Sequence, residues 1–132
     1  MAGPIAPNTI VVGDATRSML ADLYSAMDVL VHPSLIDNLP TVPIEAGLVG
    51  TKCLATDVGG TAESIASTVD LIDPEIEPMA MAYAIRAAID AAAAETGADR
   101  LARRASLLER LGHAEYRPRL EAAIQWIARG AR

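Results

Sequence analysis

Apolar residues in the first half of the chain fall into short continuous runs separated by helically spaced positions. The continuous runs predict buried strands over Ile10–Gly13, Asp28–His32 and Lys52–Thr56, and a weaker run predicts a fourth strand over Val69–Ile72. Strands that alternate with helices are typical of a parallel sheet. The pattern therefore predicts an α/β fold with about four parallel strands.

Local signals place helices between and after these strands. Thr16 is a candidate N-cap for a helix over Arg17–Ala26, which has one apolar face. Thr41 is a candidate N-cap for a second helix, which carries Pro43 in its first turn and ends before Gly50. The remaining predicted helices are Thr61–Ile65, Pro78–Glu95, Asp99–Leu111 and Glu115–Arg129, with Gly97 as a break between the second and the third.

The length and the order of these elements predict one domain over residues 1–132. A chain of 132 residues can bury one core. The predicted strands place an α/β core at residues 9–75, and the rest of the chain, residues 76–132, is predicted to be helical.

Charge is distributed unevenly along the chain. Residues 1–96 contain only three basic residues, Arg17, Lys52 and Arg86, whereas eight arginines follow in residues 97–132. An acidic body argues against nucleic-acid binding. We expect the C-terminal arginines to form a solvated helix face: Arg100, Arg103, Arg104 and Arg110. The alternative is a surface for an acidic partner or an anionic membrane, as in a structural interaction protein.

Other features bear on the compartment. A single cysteine, Cys53, rules out an internal disulfide and favours the cytoplasm. No apolar run is long enough for a transmembrane helix, and Met1–Pro7 lacks the basic start and apolar centre of a signal peptide. We therefore expect a cytoplasmic protein.

Two acidic residues, Asp37 and Glu45, bracket the loop after the Asp28–His32 strand. Ligands of parallel α/β proteins bind at this edge of the sheet. Carboxylates accept hydrogen bonds from vicinal hydroxyls, and free helix N-terminal amides at Thr41 and Val42 favour an anion or a sugar oxygen. These groups suit a hydroxyl-rich ligand. The alternative is that Asp37 caps the turn and Glu45 is an ordinary helix acid.

A second candidate loop, Asp57–Gly60, follows the Lys52–Thr56 strand. Its glycines either let a ligand approach the backbone or form a tight turn into the next helix. No spacing of His, Cys and acidic residues predicts a catalytic triad or a metal site. We expect His32, His113 and Cys53 to be structural.

Motifs in unbroken order across residues 9–75 resemble a known family. They are Leu20–Ser34, Asp37–Pro40, Glu45–Ala46, Gly50–Thr51 and Ala55–Gly60, followed by Glu63 and Ile65. Their order and spacing resemble the C-terminal, donor-binding domain of group 1 glycosyltransferases of the GT-B fold. The resemblance implies a partial Rossmann-like, doubly wound domain. It also implies retaining transfer of a hexosyl group from a nucleotide-diphosphate sugar to an acceptor, with no cofactor and no metal.

The family signature is two acids with seven residues between them. Asp37 and Glu45 have this spacing, with Asp in place of the commoner first Glu. The resemblance implies that Asp37 is catalytic and lies near the transferred sugar, and that Glu45 binds the ribose of the nucleotide. It also implies a set of donor-binding loop residues: Ser34, Asn38, Leu39, Pro40, Thr41, Val42, Gly59 and Gly60.

The chain departs from the family pattern before residue 9. The acceptor-binding domain is absent, and so are the first two strands of the donor domain with the basic residues that neutralise the diphosphate. Lys52 stands at a usual proline, and Thr68–Ile72 replaces a glycine-bearing segment. We therefore expect a C-terminal fragment that is inactive alone. The alternative is a non-catalytic module that binds a nucleotide sugar or pairs with a separately encoded N-terminal half.

The missing strands leave Ile10–Val12 without the neighbours that it would have in the family. This segment either shifts to pair with Val29–Val31 or pairs with another chain, including a second copy in a homo-oligomer. Both are hypotheses.

Overall fold

Three parallel strands form the sheet, in the order β1-β2-β3. The structure is a computed structural model that describes residues 6–64 and 70–112, together with residues 118, 121, 122, 124 and 125. The strands are β1 (Val29–His32), β2 (Lys52–Thr56) and β3 (Asp70–Ile72). Leu30 pairs with Cys53, and Ala55 pairs with Leu71. The predicted α/β, partial Rossmann-like fold is confirmed, with three strands among the described residues in place of about four.

The helices lie before, between and after these strands. They are α1 (Arg17–Ala26), α2 (Thr41–Leu48), α3 (Thr61–Ser64), α4 (Pro78–Ala94) and α5 (Gly97–Leu111). The helix predicted over Glu115–Arg129 lies largely outside the described residues. No helix in the described part of the chain has the length and apolar character needed to cross a membrane.

Side-chain caps set where the helices begin. The Thr16 hydroxyl accepts a hydrogen bond from the Met19 N–H at 3.3 Å, which confirms the predicted start of α1. At α5, the Thr96 hydroxyl and the Asp99 carboxylate form a reciprocal capping box. The predicted break between the two helices is present, but it lies at Glu95–Thr96. Gly97 is already the first residue of α5, two residues before the predicted start at about Asp99, because the capping box starts the helix there.

The core has two parts, one on each face of β2. All five residues of β2 are buried, because helices cover both sides of the strand. Cys53 packs with Tyr24 and Ala46 on the side of α1 and α2. Leu54 packs with Ile72 and Ala88, and Ala88 comes from α4. Successive residues of one strand thus anchor helices on opposite faces of the sheet.

The predicted strand at Ile10–Gly13 does not form. This segment has no regular secondary structure, and the side chains of Ile10 and Val11 are 87% and 71% exposed. Within the described residues, β1 pairs only with β2, so the proposed shift of Ile10–Val12 beside Val29–Val31 is wrong. An apolar run forms a strand only where another strand pairs with its backbone, and no strand in the described part of the chain pairs with this segment. Pairing with another chain stays a hypothesis.

Helix α5 docks on the C-terminal end of α2. Arg103 is 4% exposed, and its guanidinium donates to the Gly50 carbonyl oxygen at 2.6 Å and pairs with the Glu95 carboxylate. Leu107 is buried against Gly47. The prediction that Arg103 belongs to a solvated face is therefore wrong, because the side chain is buried and its two terminal nitrogens bind oxygen partners inside the fold. Arg104 is exposed as expected.

Candidate functional site

The loops that follow β1 and β2 pack directly against each other. The Gly60 N–H donates to the Asn38 carbonyl oxygen at 3.1 Å. A Cβ atom on Gly59 would overlap with the Asp37 carbonyl oxygen, and one on Gly60 would overlap with that of Asn38. Gly59 also has a φ of 50°, in the left-handed region that favours glycine. The two glycines therefore allow the backbones of the two loops to approach each other closely. The predicted close approach of a ligand to these glycines stays a prediction.

Asp37 is held at both oxygens of its carboxylate. Its Oδ2 atom lies 3.2 Å from Nε2 of His32, at the end of β1. Its Oδ1 atom accepts a hydrogen bond from the Leu39 N–H at 3.1 Å, which closes the turn. The turn-capping contact considered for Asp37 is therefore present. Because each oxygen still has a free lone-pair direction, this contact leaves the carboxylate able to accept a ligand hydroxyl.

The polar residues Thr56 and Ser34 shape the rest of the first loop. The buried Thr56 hydroxyl, at the end of β2, donates to the Ser34 carbonyl oxygen. The Ser34 hydroxyl donates to the Ile36 carbonyl oxygen at 3.0 Å, so its own hydrogen is used inside the loop. Sequence reasoning missed Thr56, because a threonine inside a buried run reads only as a strand residue.

Helix α2 starts without a side-chain cap. The residue that flanks it is the buried Pro40 and not the predicted Thr41, which is already the first helical residue. Pro40 takes the extended conformation that precedes a helix, but it has no side-chain oxygen to act as a cap. The N–H groups of Thr41 and Val42 therefore have no acceptor within the helix and remain suited to a ligand oxygen.

Glu45 lies one turn into α2 and contacts α1. The Tyr24 hydroxyl donates to its Oε2 atom at 3.1 Å. Burial, followed by the hydrogen bond to Glu45 and the Glu45 charge, raises the pKa of Tyr24 above its usual value. Tyr24 and Glu45 are 21 residues apart, so the sequence gave no sign of this contact.

A cavity of about 330 Å³ lies between α1 and α2. It is lined by Arg17, Leu20, Ala21, Tyr24, Glu45, Leu48 and Val49. The cavity offers an apolar wall with a carboxylate, a phenol and one guanidinium, a composition typical of small-molecule sites.

The predicted site residues thus form two groups. One is the loop group, in which Asp37, Asn38 and Leu39 lie against Gly59 and Gly60, while Ser34 is hydrogen-bonded within the first of the two loops. The other is Glu45, which faces the cavity beside α1. Neither group contains a strong nucleophile. Cys53 is buried, and burial raises the pKa of its thiol to about 12, so the thiol keeps its proton at neutral pH, as expected for a structural residue.

Comparisons with known proteins are consistent with this arrangement. The family model described as "Glycosyl transferases group 1" matches residues 4–105. A solved sucrose-phosphate synthase from Thermosynechococcus elongatus is similar in structure, with a TM-score of 0.61 and 32% sequence identity. The similarity covers 85% of this chain and 30% of the synthase chain, so this chain spans less than a third of that relative. No curated protein matches the sequence.

Proposed function

Because the chain belongs to the group 1 glycosyltransferases, we propose that it forms the donor side of a retaining transferase that uses nucleotide-diphosphate sugars. The observation that carries this proposal is the junction between β1 and α2. It combines two carboxylates at Asp37 and Glu45 with an uncapped helix start at the ligand-binding edge of a parallel sheet. A sugar nucleotide presents hydroxyls and oxyanions, the two kinds of group that such a junction recognises.

Each group of residues has a separate task in this proposal. The ribose hydroxyls bind to Glu45 at the cavity between α1 and α2. The diphosphate and sugar oxygens accept hydrogen bonds from the amides of Thr41 and Val42. Asp37 lies beside the transferred sugar as the catalytic carboxylate. The remaining donor-binding residues form the wall of the loop group: Ser34, Asn38, Leu39, Pro40, Gly59 and Gly60.

Up to residue 96, the described part of the chain has too little positive charge to hold a diphosphate alone. Of the bases in residues 1–96, Arg17 lines the cavity, whereas Lys52 is buried in β2 and Arg86 pairs with Asp90 at 3.2 Å. Transfer also needs the acceptor held close to the donor sugar in a defined orientation. We expect purified chain to release no nucleotide from UDP- or GDP-hexoses at a useful rate, and steady turnover in a coupled assay would contradict this.

A second candidate function is a non-catalytic module that pairs with another chain. The exposure of Ile10–Val12 and the unpaired outer edge of β1 in the described sheet favour it. An exposed apolar segment and an open strand edge can each pair with a further strand, from a separately encoded half or a second copy. Sedimentation of the purified chain distinguishes the second copy, which gives a dimer, from a separately encoded half, which leaves a monomer.

Nucleotide binding tests the leading proposal. UDP or GDP at 100 times its dissociation constant would stabilise the fold by about 2.7 kcal/mol, which a thermal shift detects. We expect Glu45→Ala to abolish the shift. Glu109→Ala is the matched control, because Glu109 is an exposed helix acid on α5. The donor-side function is wrong if neither nucleotide shifts the wild-type transition.

A further inference from the structure

The side chains of Tyr24 and Glu45 form a hydrogen bond between a buried donor and an exposed acceptor. Tyr24, on α1, is only 6% exposed, whereas Glu45, on α2, is an exposed residue. Their contact joins the hydroxyl to Oε2 at 3.1 Å. A glutamate on a helix surface ordinarily samples many rotamers. The hydrogen bond from the buried Tyr24 hydroxyl restricts the rotamers of Glu45, because the phenol cannot move into solvent with the carboxylate.

We propose that Tyr24 is a positioning residue that fixes the Glu45 carboxylate toward the cavity so that the free oxygen receives a vicinal diol. The inference rests on the proposed function, because the diol is the ribose of the bound nucleotide. It adds a residue that lies outside the loop and helix carrying the two acids.

Tyr24 is itself immobilised at its ring and at its backbone. The ring packs in the core cluster with Ala46 and Cys53. The backbone carbonyl oxygen accepts a 2.6 Å hydrogen bond from the hydroxyl of Thr51, which is 1% exposed. The phenol oxygen is therefore a fixed point, and a fixed donor selects one orientation of the carboxylate that it binds.

The geometry leaves one carboxylate oxygen of Glu45 for a ligand. Tyr24 uses one lone-pair direction of Oε2, and no hydrogen bond from the residues that the structure describes reaches Oε1. A carboxylate accepts about four hydrogen bonds in all, so two adjacent hydroxyls can still bind. Pre-orienting the group means that the ligand does not have to immobilise it on binding.

The protonation state of Tyr24 agrees with its role as a donor. Burial and the neighbouring Glu45 both raise the pKa of the phenol, so the hydroxyl keeps its proton at neutral pH. Removing the charge with Glu45→Gln should lower the titration midpoint of this one tyrosine. An absorbance titration of tyrosinate compares the variant with wild type and needs no ligand.

The binding test uses Tyr24→Phe, which removes only the hydroxyl. Its matched control is Tyr83→Phe, because Tyr83 is 71% exposed on α4. Calorimetry is run with UDP, 2′-deoxy-UDP, GDP and 2′-deoxy-GDP. We expect Tyr24→Phe to weaken binding of the ribonucleotide about 2- to 10-fold, as for loss of one net hydrogen bond, and to reduce its preference over the deoxy form.

The ratio of the two affinities separates positioning from general destabilisation. A merely loosened fold would weaken the ribo and deoxy forms equally, and that result would overturn the inference. Unchanged binding of both forms by Tyr24→Phe would also overturn the inference, but it would not contradict the proposed donor-side function. If wild type binds neither UDP nor GDP, the proposed function and the ribose role fall together. If Tyr24→Phe does not fold, an unmoved tyrosine midpoint in Glu45→Gln overturns the inference, and a lowered one supports it.

Discussion

The two ends of α2 are held in opposite ways. At the C-terminal end, Leu107 packs on Gly47 and the Arg103 guanidinium binds the Gly50 carbonyl oxygen, so that end is buried under α5. At the N-terminal end, no side chain caps the helix, and the preceding loop is held by polar contacts at Asp37 and Asn38. Burial at one end fixes the helix, so its stability does not depend on a side-chain cap at the other end, where the proposed ligand would bind.

The largest expected effect comes from breaking the buried end. Arg103→Met leaves the Glu95 carboxylate and the Gly50 carbonyl oxygen without their partner, which should lower the free energy of unfolding by about 2–3 kcal/mol. Urea denaturation measures the change. The matched control is Arg104→Met, because Arg104 is exposed on the same helix and its loss should cost less than about 0.5 kcal/mol. Equal free energies of unfolding for the two variants would show that the Arg103 contacts with Gly50 and Glu95 do not hold α2 in place.

A smaller loss of stability, with a larger loss of binding, is expected at the open end. Gly59→Ala puts a Cβ against the Asp37 carbonyl oxygen at a positive φ, which should cost about 1–2 kcal/mol. The displaced loop should weaken UDP or GDP binding more than Arg103→Met does. Calorimetry and thermal denaturation of both variants test this contrast. Gly97→Ala is the control, since no atom lies within 4 Å of the added carbon. If Gly59→Ala bound UDP or GDP as tightly as wild type, the contact between the two loops would not be needed for nucleotide binding.

The smallest effect concerns the start of α5 and depends on pH. Hydrogen bonds from the Thr96 side chain and backbone lower the pKa of the Asp99 carboxyl below its usual value. A carboxyl with a lowered folded-state pKa stabilises the fold above its unfolded pKa of about 4, and the contribution is lost as pH falls through the folded value. Thr96→Ala should therefore lower the melting temperature at pH 7, and the deficit should shrink toward pH 3. A deficit that stays constant with pH would contradict the role of the capping box.

Elements set by neighbouring residues were predictable from the sequence. The Thr16 cap, the strands β1 and β2 and the proline start of α4 all follow from local pattern, and the structure has them. Thr96 and Asp99 also have capping-box spacing in the sequence, so the start of α5 could have been predicted from them. Gly97 instead indicated a break, because glycine is unfavourable inside a helix.

Features that depend on distant partners were not predictable. Ile10–Gly13 has the composition of a strand, yet a strand exists only beside another strand. Arg103 lies in an arginine-rich helix, and only its contact with Gly50, 53 residues earlier, decides that it is buried. The spacing of Asp37 and Glu45 marked the candidate site, whereas Tyr24 and Thr56 reach their partners across more than 20 residues.

The contact of Gly59 and Gly60 with the Asp37–Asn38 backbone has a consequence for protein engineering. The loops after β1 and β2 are separate in sequence, but neither has room to change its path without moving the other. A first loop transplanted alone from a related protein would clash with the backbone of the retained glycine turn. The two loops therefore have to be exchanged together, with the replaced segments starting at the ends of β1 and β2.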